Sequence, residues 1–161
     1  MSVEVIIEDE RWAAANLQTL AERAVAATFR NQALDLTEWE VVVLGCNDVR
    51  IAELNGAFRG KSNATNVLSW PSEERGADIA GEAPKPPSGD PELGDIALAF
   101  ETCQKEAIEQ GKSAEQHYLH LIVHGVLHLL GYDHEREGDG DLMESVEIAI
   151  LAELGVSDPY M

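Results

Sequence analysis

The chain has 161 residues, of which 45% are hydrophobic and 25% charged, a composition that fits one compact domain with a sizeable core. Its 30 acidic and 11 basic side chains give a formal net charge of −19, which repels nucleic acid and anionic membrane surfaces at long range. A polyanionic substrate would therefore need a local basic patch.

The sequence indicates neither a membrane span nor a secretory signal. No apolar run approaches the roughly 20 residues that a transmembrane helix needs, and the opening MSVEVIIEDERW lacks the basic start and apolar core of a signal peptide. Cys46 and Cys103 lie far apart and form no CxxC pair, so we expect buried thiols rather than a disulfide or a thiolate zinc site. We expect a cytoplasmic protein.

Strands and helices alternate in the first half of the chain. A β-branched run predicts a strand over Val3–Ile7, and apolar residues at helical spacing predict one helix over Trp12–Phe29. A second strand is expected over Trp39–Leu44, and a short helix capped by Asp48 should follow it. Asn66–Trp70 has the pattern of a third strand, which the next residue, a proline, ends.

Residues 71–92 have a different composition from the rest. They contain five of the six prolines, with acidic residues and glycines between them. Such a segment cannot bury a core, and it is long for a connection inside a compact domain. We expect a mobile excursion over residues 71–92.

The second half contains one more strand and three helices. The strand is expected over Leu93–Phe100 and the first helix over Glu101–Glu109. Ser113-Ala-Glu-Gln116 matches a capping box that begins the next helix, and Gly131 suits the left-handed position after its end near Leu130. The last helix should span Asp141–Leu154.

The order of these elements predicts an α+β fold. Residues 1–161 should form a single domain in which a small mixed four-stranded sheet packs against about five helices.

Four of the five histidines lie in HLIVHGVLHLLGYDH, residues 120–134. Residues four apart on a helix differ by only about 40° around its axis, so His124 and His128 should point the same way, and the turn after Gly131 can bring His134 beside them. Three neutral imidazoles suit zinc and leave a fourth coordination position open, as in catalytic zinc sites. We expect His117 and His120 to support this site or to pack, rather than to bind the ion.

A rival interpretation comes from the same spacing. One class of zinc proteases carries H-E-x-x-H-x-x-G-x-x-H, but Gly125 stands here where that motif has its glutamate. A peptidase without this carboxylate lacks the group that deprotonates the attacking water. Metal-assisted cleavage of a phosphodiester fits the remaining residues, and in RNA the 2′-hydroxyl is itself a possible nucleophile.

These residues closely resemble the YbeY family of bacterial metal-dependent endoribonucleases. The signature H-G-x-L-H-L-x-G-Y-D-H is present from His124 to His134, and family-like stretches run over Leu54–Pro71 and over Leu93-Gly-Asp-Ile96. One departure is Asn66, where the family commonly has aspartate, which removes a charge near the site.

The resemblance implies a function and a set of site residues. The chain would be a single-strand-specific, zinc-dependent endoribonuclease that matures the 3′ end of small-subunit (16S) ribosomal RNA and acts in ribosome quality control. One Zn²⁺ would be bound by His124, His128 and His134, and Arg59 would be the catalytic arginine. A guanidinium suits that role because it is permanently charged and forks onto two phosphoryl oxygens. Lys61 is a candidate for substrate binding.

The expected partners are ribosomal RNA and the small ribosomal subunit, together with ribosomal proteins or assembly GTPases, and neither DNA nor a membrane is expected. Two alternatives stay open: a metallohydrolase of peptides or small substrates, and a non-enzymatic ribosome assembly factor with a structural zinc. The general base is also open, with Asp133 and Glu135 flanking His134.

Overall fold

The computed structural model describes the backbone of residues 3–59 and 64–160 and the side chains of residues 3–56 and 64–160. Within these residues the chain forms four strands and six helices. Their order is β1 (Val3–Ile7), α1 (Arg11–Ala14), α2 (Leu17–Asn31), β2 (Glu40–Cys46), α3 (Asp48–Arg59), β3 (Val67–Pro71), β4 (Glu92–Ala99), α4 (Phe100–Glu109), α5 (Ala114–Leu129) and α6 (Glu137–Glu153).

The sheet is mixed and four-stranded, as predicted. Its strand order is β1-β2-β4-β3, with β1 and β4 both parallel to β2 and with β3 antiparallel to β4. Because side chains alternate along a strand, each central strand serves two layers. Val43 and Ile96 belong to the main core, whereas Cys46 and Ala97 belong to a second cluster with Ile51 of α3. Helix α3 therefore covers one face of the sheet.

Helix α5 lies on the opposite face and is the centre of the main core, in contact with α2, α4, α6, β3 and β4. Gly125 lies against strand β4 of the sheet. A Cβ at this position would lie 3.1 Å from the side chain of Ile96. The residue that replaces the protease glutamate therefore faces the sheet, and it lets helix and strand pack closely.

The predicted helix over Trp12–Phe29 is in fact two helices, α1 and α2. Asn16 adopts the left-handed conformation (φ 62°, ψ 45°), which asparagine tolerates better than most residues, and it ends the first helix. The short α1 places Trp12 wholly inside the core, where its Nε1 donates to the carbonyl of Cys46 at 2.8 Å. The helical spacing alone did not indicate this break.

The cap of α3 also differs from the prediction. Asn47 is the residue whose Oδ1 accepts the hydrogen bond from the backbone N–H of Arg50, at 2.8 Å. The carboxylate of Asp48 instead accepts hydrogen bonds from the backbone and hydroxyl of Thr102, at 3.0 and 2.8 Å. Asp48 therefore ties α3 to α4.

Residues 72–91 form neither helix nor strand, but part of this segment is tied to the domain. Arg75 is only 8% exposed, and its guanidinium donates to the carbonyl of Leu129 at 2.8 Å. Arg136 donates to the carbonyls of Ala77 and Asp78. These contacts hold the first half of the segment against the end of α5, and the mobility expected for residues 71–92 stays a prediction.

Across the described part of the chain, every helix is too short or too polar to cross a membrane.

Candidate metal centre

Both ends of helix α5 are set by local sequence, as predicted. Ser113 is the N-cap, and its Oγ accepts a hydrogen bond from the backbone N–H of Gln116 at 3.1 Å. At the other end Gly131 has a φ of 103°, and the N–H of Tyr132 donates to the carbonyl of Leu127 at 3.0 Å. This left-handed turn reverses the chain and returns the following residues to the end of the helix.

The turn brings the three predicted histidines together. One ring nitrogen from each of His124, His128 and His134 lies within 4.8 Å of the others. The Nε2 atoms of His124 and His128 are 3.0 Å apart. Two ligands of a tetrahedral zinc ion, each about 2.0–2.1 Å from it, are separated by about 3.4 Å. The His124–His128 pair is therefore within about 0.4 Å of the spacing that one zinc ion requires, and His134 completes the candidate ligand set.

The protonation states also suit a metal. Burial, together with the neighbouring His124 and His134, lowers the pKa of His128 to about 4. His128 is therefore neutral at pH 7, with a lone pair available to a cation. His134 is exposed at the mouth of the site, which leaves one side of the cluster open.

A buried carboxylate lies behind the cluster. Glu147 of α6 is fully buried, and its oxygens accept hydrogen bonds from His124 Nδ1 at 2.7 Å, His120 Nε2 at 3.0 Å and Tyr160 Oη at 2.6 Å. Burial acts to raise its pKa, but these hydrogen bonds outweigh burial and hold the pKa at about 2. Glu147 is therefore ionised, and it links His120 to His124.

A second carboxylate pairs with the same face of α5. His117 is 3% exposed, and its Nε2 lies 2.9 Å from Glu106 Oε1. The amide of Asn66 donates to both oxygens of Glu106, at 3.1 and 3.3 Å, while its Oδ1 accepts from the N–H of Val67 at 2.6 Å. Asn66 lacks the charge of the family's aspartate, but it directly contacts a carboxylate, that of Glu106.

The histidine cluster opens into a groove of about 1080 Å³. Besides His124 and His128, it is lined by Asn55, residues 64–69, Pro71, residues 74–77, residues 131–136 and Asp139. We call this space the metal-centre groove. Asp133 and Glu135, the two candidates for a general base, line it and are exposed.

Of the two predicted cations, Arg59 and Lys61, the structure describes only the backbone of Arg59. Arg59 is the last residue of α3, one turn beyond Asn55 of the groove wall, and its side chain lies outside the described residues, as does the whole of Lys61. Arg50, their neighbour in sequence, pairs with Glu8 at 3.2 Å.

Sequence reasoning missed several residues that shape the site. Among the described side chains, Arg75 and Arg136 are the cations that line the groove. Both are engaged, Arg75 by backbone carbonyls and Arg136 by carbonyls and Asp139. The segment holding Arg75 was interpreted as an excursion, so nothing indicated its burial. For Glu147 there was a signal, because this acid falls on the apolar stripe of the last helix.

Comparisons with known proteins match this chain over almost its whole length. The family model described as Endoribonuclease YbeY matches residues 3–155. A curated relative with that name from Cereibacter sphaeroides is 60% identical and covers 98% of each chain. Another, from Ruegeria sp. (strain TM1040), is 53% identical and covers 100% of this chain and 97% of its own. The solution structure of TM1509 from Thermotoga maritima shares the fold, with a TM-score of 0.58 at 22% identity, covering 95% of this chain and 91% of its own.

Replacing Gly131 with alanine should destabilise the protein by about 3 kcal/mol, because the conformation is left-handed and the new Cβ would lie 2.6 Å from the backbone of Arg75. Gly111→Ala is the matched control, since Gly111 occupies the same position after α4 (φ 65°) with nothing within 4 Å. It should cost about 1 kcal/mol. Urea unfolding measures the free energy lost in each variant. Equal losses would show that the close contact with the backbone of Arg75 contributes nothing.

Replacing Asn66 with aspartate should destabilise the protein by about 1–3 kcal/mol at pH 7, because it sets a second carboxylate about 3 Å from Glu106. Repulsion raises the pKa of this pair in the folded state, so the folded protein binds more protons than the unfolded one, and the penalty shrinks as the pH falls from 7 towards 4.

Asn47→Asp makes the same chemical change at a helix N-cap, where aspartate is equally suitable, and should be nearly neutral. Unfolding at several pH values distinguishes the two variants. A penalty for Asn66→Asp that does not change with pH would contradict the repulsion.

Proposed function

Because the chain belongs to the YbeY family of endoribonucleases, we propose that it cleaves RNA at the three-histidine centre, with one zinc ion held by His124, His128 and His134. It is an RNA-cleaving hydrolase that acts in ribosomal RNA processing. The observation that carries the proposal is the convergence of three imidazole nitrogens at the floor of the metal-centre groove. The 3′ end of 16S ribosomal RNA is the proposed substrate.

The donor set favours zinc among the metals. Three neutral imidazoles suit zinc, whereas magnesium and calcium prefer oxygen ligands and more of them. When bound, zinc supplies Lewis acidity towards a phosphoryl oxygen and makes hydroxide available near neutral pH. The rigid helix α5 holds His124 and His128 in position, and the turn after α5 supplies His134 as the third ligand.

We assign the stabilisation of phosphoryl charge to Arg59. The resemblance to the family supports this role, and so does the placement of the residue at the end of α3, one turn beyond Asn55 of the groove wall. A guanidinium donates two parallel hydrogen bonds to two phosphoryl oxygens. Lys61 is proposed to bind the substrate backbone.

The charge of the chain indicates how the substrate arrives. A net charge of −19 opposes free RNA, so we propose weak intrinsic binding in the cytoplasm, with the small ribosomal subunit delivering the cleavage site. Ribosomal proteins or assembly GTPases are the proposed protein partners. The affinity for a single-stranded RNA at low salt tests the proposed weak binding. Tight, sequence-blind binding would contradict it.

The peptidase alternative loses support from the packing of α5. A glutamate in place of Gly125 would begin 3.1 Å from Ile96, facing strand β4. The assembly-factor alternative, with a structural zinc, is addressed by the last variant below.

Arg59→Gln should bind zinc normally and cleave RNA about 100-fold or more slowly, because a donor to the charged transition state is lost. Arg50→Gln is the control: it removes the same charge from the same helix, but from a side chain paired with Glu8. Zinc content and single-turnover cleavage report on each variant. Undiminished cleavage by Arg59→Gln would remove this residue from the mechanism.

His128→Ala should leave the domain folded while zinc content falls well below one ion per chain and RNA cleavage is lost. Elemental analysis, circular dichroism and an RNA assay measure these three properties. A variant that unfolds, together with a wild-type protein that never cuts RNA, would favour the assembly factor. Incubation of the zinc-loaded protein with a peptide library tests the peptidase.

A further inference from the structure

We propose that Glu147 is a positioning residue of the metal centre. It holds the neutral ring of His124 in the tautomer that has its proton on Nδ1 and presents the lone pair of Nε2 to the ion. Tyr160 in turn anchors Glu147. This inference rests on the proposed role of His124 as a ligand. It makes the C-terminal residues, far from the motif in sequence, a part of the metal centre.

The hydrogen bonds around Glu147 use both of its oxygens. Oε1 accepts from His124 Nδ1 at 2.7 Å, and Oε2 accepts from His120 Nε2 at 3.0 Å and from Tyr160 Oη at 2.6 Å. The side chain is fully buried, so water does not reach it while these donors are in place. An ionised carboxylate that is closed to solvent depends on these donors for its solvation.

The hydrogen bond from His124 Nδ1 to Glu147 selects the tautomer of His124. A neutral imidazole carries its proton on one nitrogen and its lone pair on the other. Because Nδ1 must donate to the carboxylate, the lone pair is left on Nε2, which is the atom that lies 3.0 Å from His128 Nε2. A carboxylate on the remote nitrogen also makes the ligand more basic, which strengthens its bond to a metal.

A second ion between His120, His124 and Glu147 is the competing explanation, since their ligand atoms also lie within 4.8 Å of one another. The separation of 2.7 Å between His124 Nδ1 and Glu147 Oε1 is a charge-assisted hydrogen bond length. Both oxygens of this buried carboxylate already accept hydrogen bonds, from His124, from His120 and from Tyr160. The geometry therefore assigns Glu147 to hydrogen bonding.

Tyr160 brings the C-terminal segment into this network. It follows α6 by a short turn, and its backbone N–H donates to Asp158 at 2.8 Å. Its ring packs edge-to-face on His120, with centroids 5.6 Å apart. The C-terminal segment thus contacts both Glu147 and His120 through Tyr160.

The test uses Glu147→Gln, Tyr160→Phe and a control, Glu144→Gln, which removes the same charge from an exposed position on the same helix. Zinc affinity is measured on the metal-free full chain by competition with a chromophoric chelator. Glu147→Gln should weaken zinc binding about 10- to 100-fold, Tyr160→Phe about 2- to 5-fold, and the control less than 2-fold.

A second measurement does not depend on zinc. Nitrogen-15 NMR of the metal-free protein identifies which ring nitrogen of His124 carries the proton. We expect Nδ1–H in the wild type and in Glu144→Gln, and a mixture of both forms in Glu147→Gln. A purely structural role for Glu147 would not change the proton position in a variant that stays folded. If Glu147→Gln does not fold, the wild-type spectrum and the zinc affinity of Tyr160→Phe still test the inference.

Wild-type His124 with its proton on Nε2, or a folded Glu147→Gln with unchanged zinc affinity, would overturn the inference even if the wild type cuts RNA. A wild type that shows the expected proton position and zinc affinities but never cuts RNA would instead count against the proposed function alone.

Discussion

The candidate site depends on one backbone turn, the left-handed reversal at Gly131. Helix α5 is fixed by its packing, which includes the contact of Gly125 with Ile96, so His124 and His128 are held as a rigid pair. The third imidazole comes from the chain after the reversal, and the reversal is enclosed by the backbone of Arg75. Arg75 also donates to the carbonyl of Leu129, at the end of the same helix. The motif and the segment at 72–77 therefore form one structural unit.

A stripe of imidazoles on a core helix needs polar partners, and two other helices supply them. Glu106 of α4 meets His117, and Glu147 of α6 meets His120 and His124. An unpaired polar group at these depths would cost about 1–3 kcal/mol, so the carboxylates are as necessary to the fold as to the chemistry. The metal centre is thus the exposed end of a polar network that runs along one face of α5.

Local rules explain what the sequence could predict. The capping box at Ser113 and the left-handed glycine after α5 are short-range features, and the spacing of the histidines follows from helix geometry. These features were enough to place the candidate ligands. The four-stranded sheet was equally accessible, because its strands have clear β-branched or apolar patterns.

What the sequence did not indicate depends on contacts between distant residues. The break at Asn16 is coupled to the burial of Trp12, whose partner is the carbonyl of Cys46, 34 residues away. Arg75 lies in a proline-rich stretch whose composition indicates exposure, yet its partner lies at the end of α5. Neither propensity nor periodicity contains information about such pairs.

The distribution of positive charge bears on how this groove meets RNA. Of the cations that line it among the described residues, Arg75 is committed to carbonyls of the fold and Arg136 is paired with Asp139. Asp139 offsets the charge of Arg136, whereas Arg75 keeps its charge but directs its donors to the fold, and the remainder of the molecule is strongly acidic. The proposed zinc ion would then be the largest positive charge at the floor of the groove, supplemented by Arg75 and by the proposed Arg59 and Lys61 at the end of α3 and beyond it. Substrate binding and catalysis would depend on the same few charges, so the acidic surface would disfavour any RNA that is not placed directly over the metal.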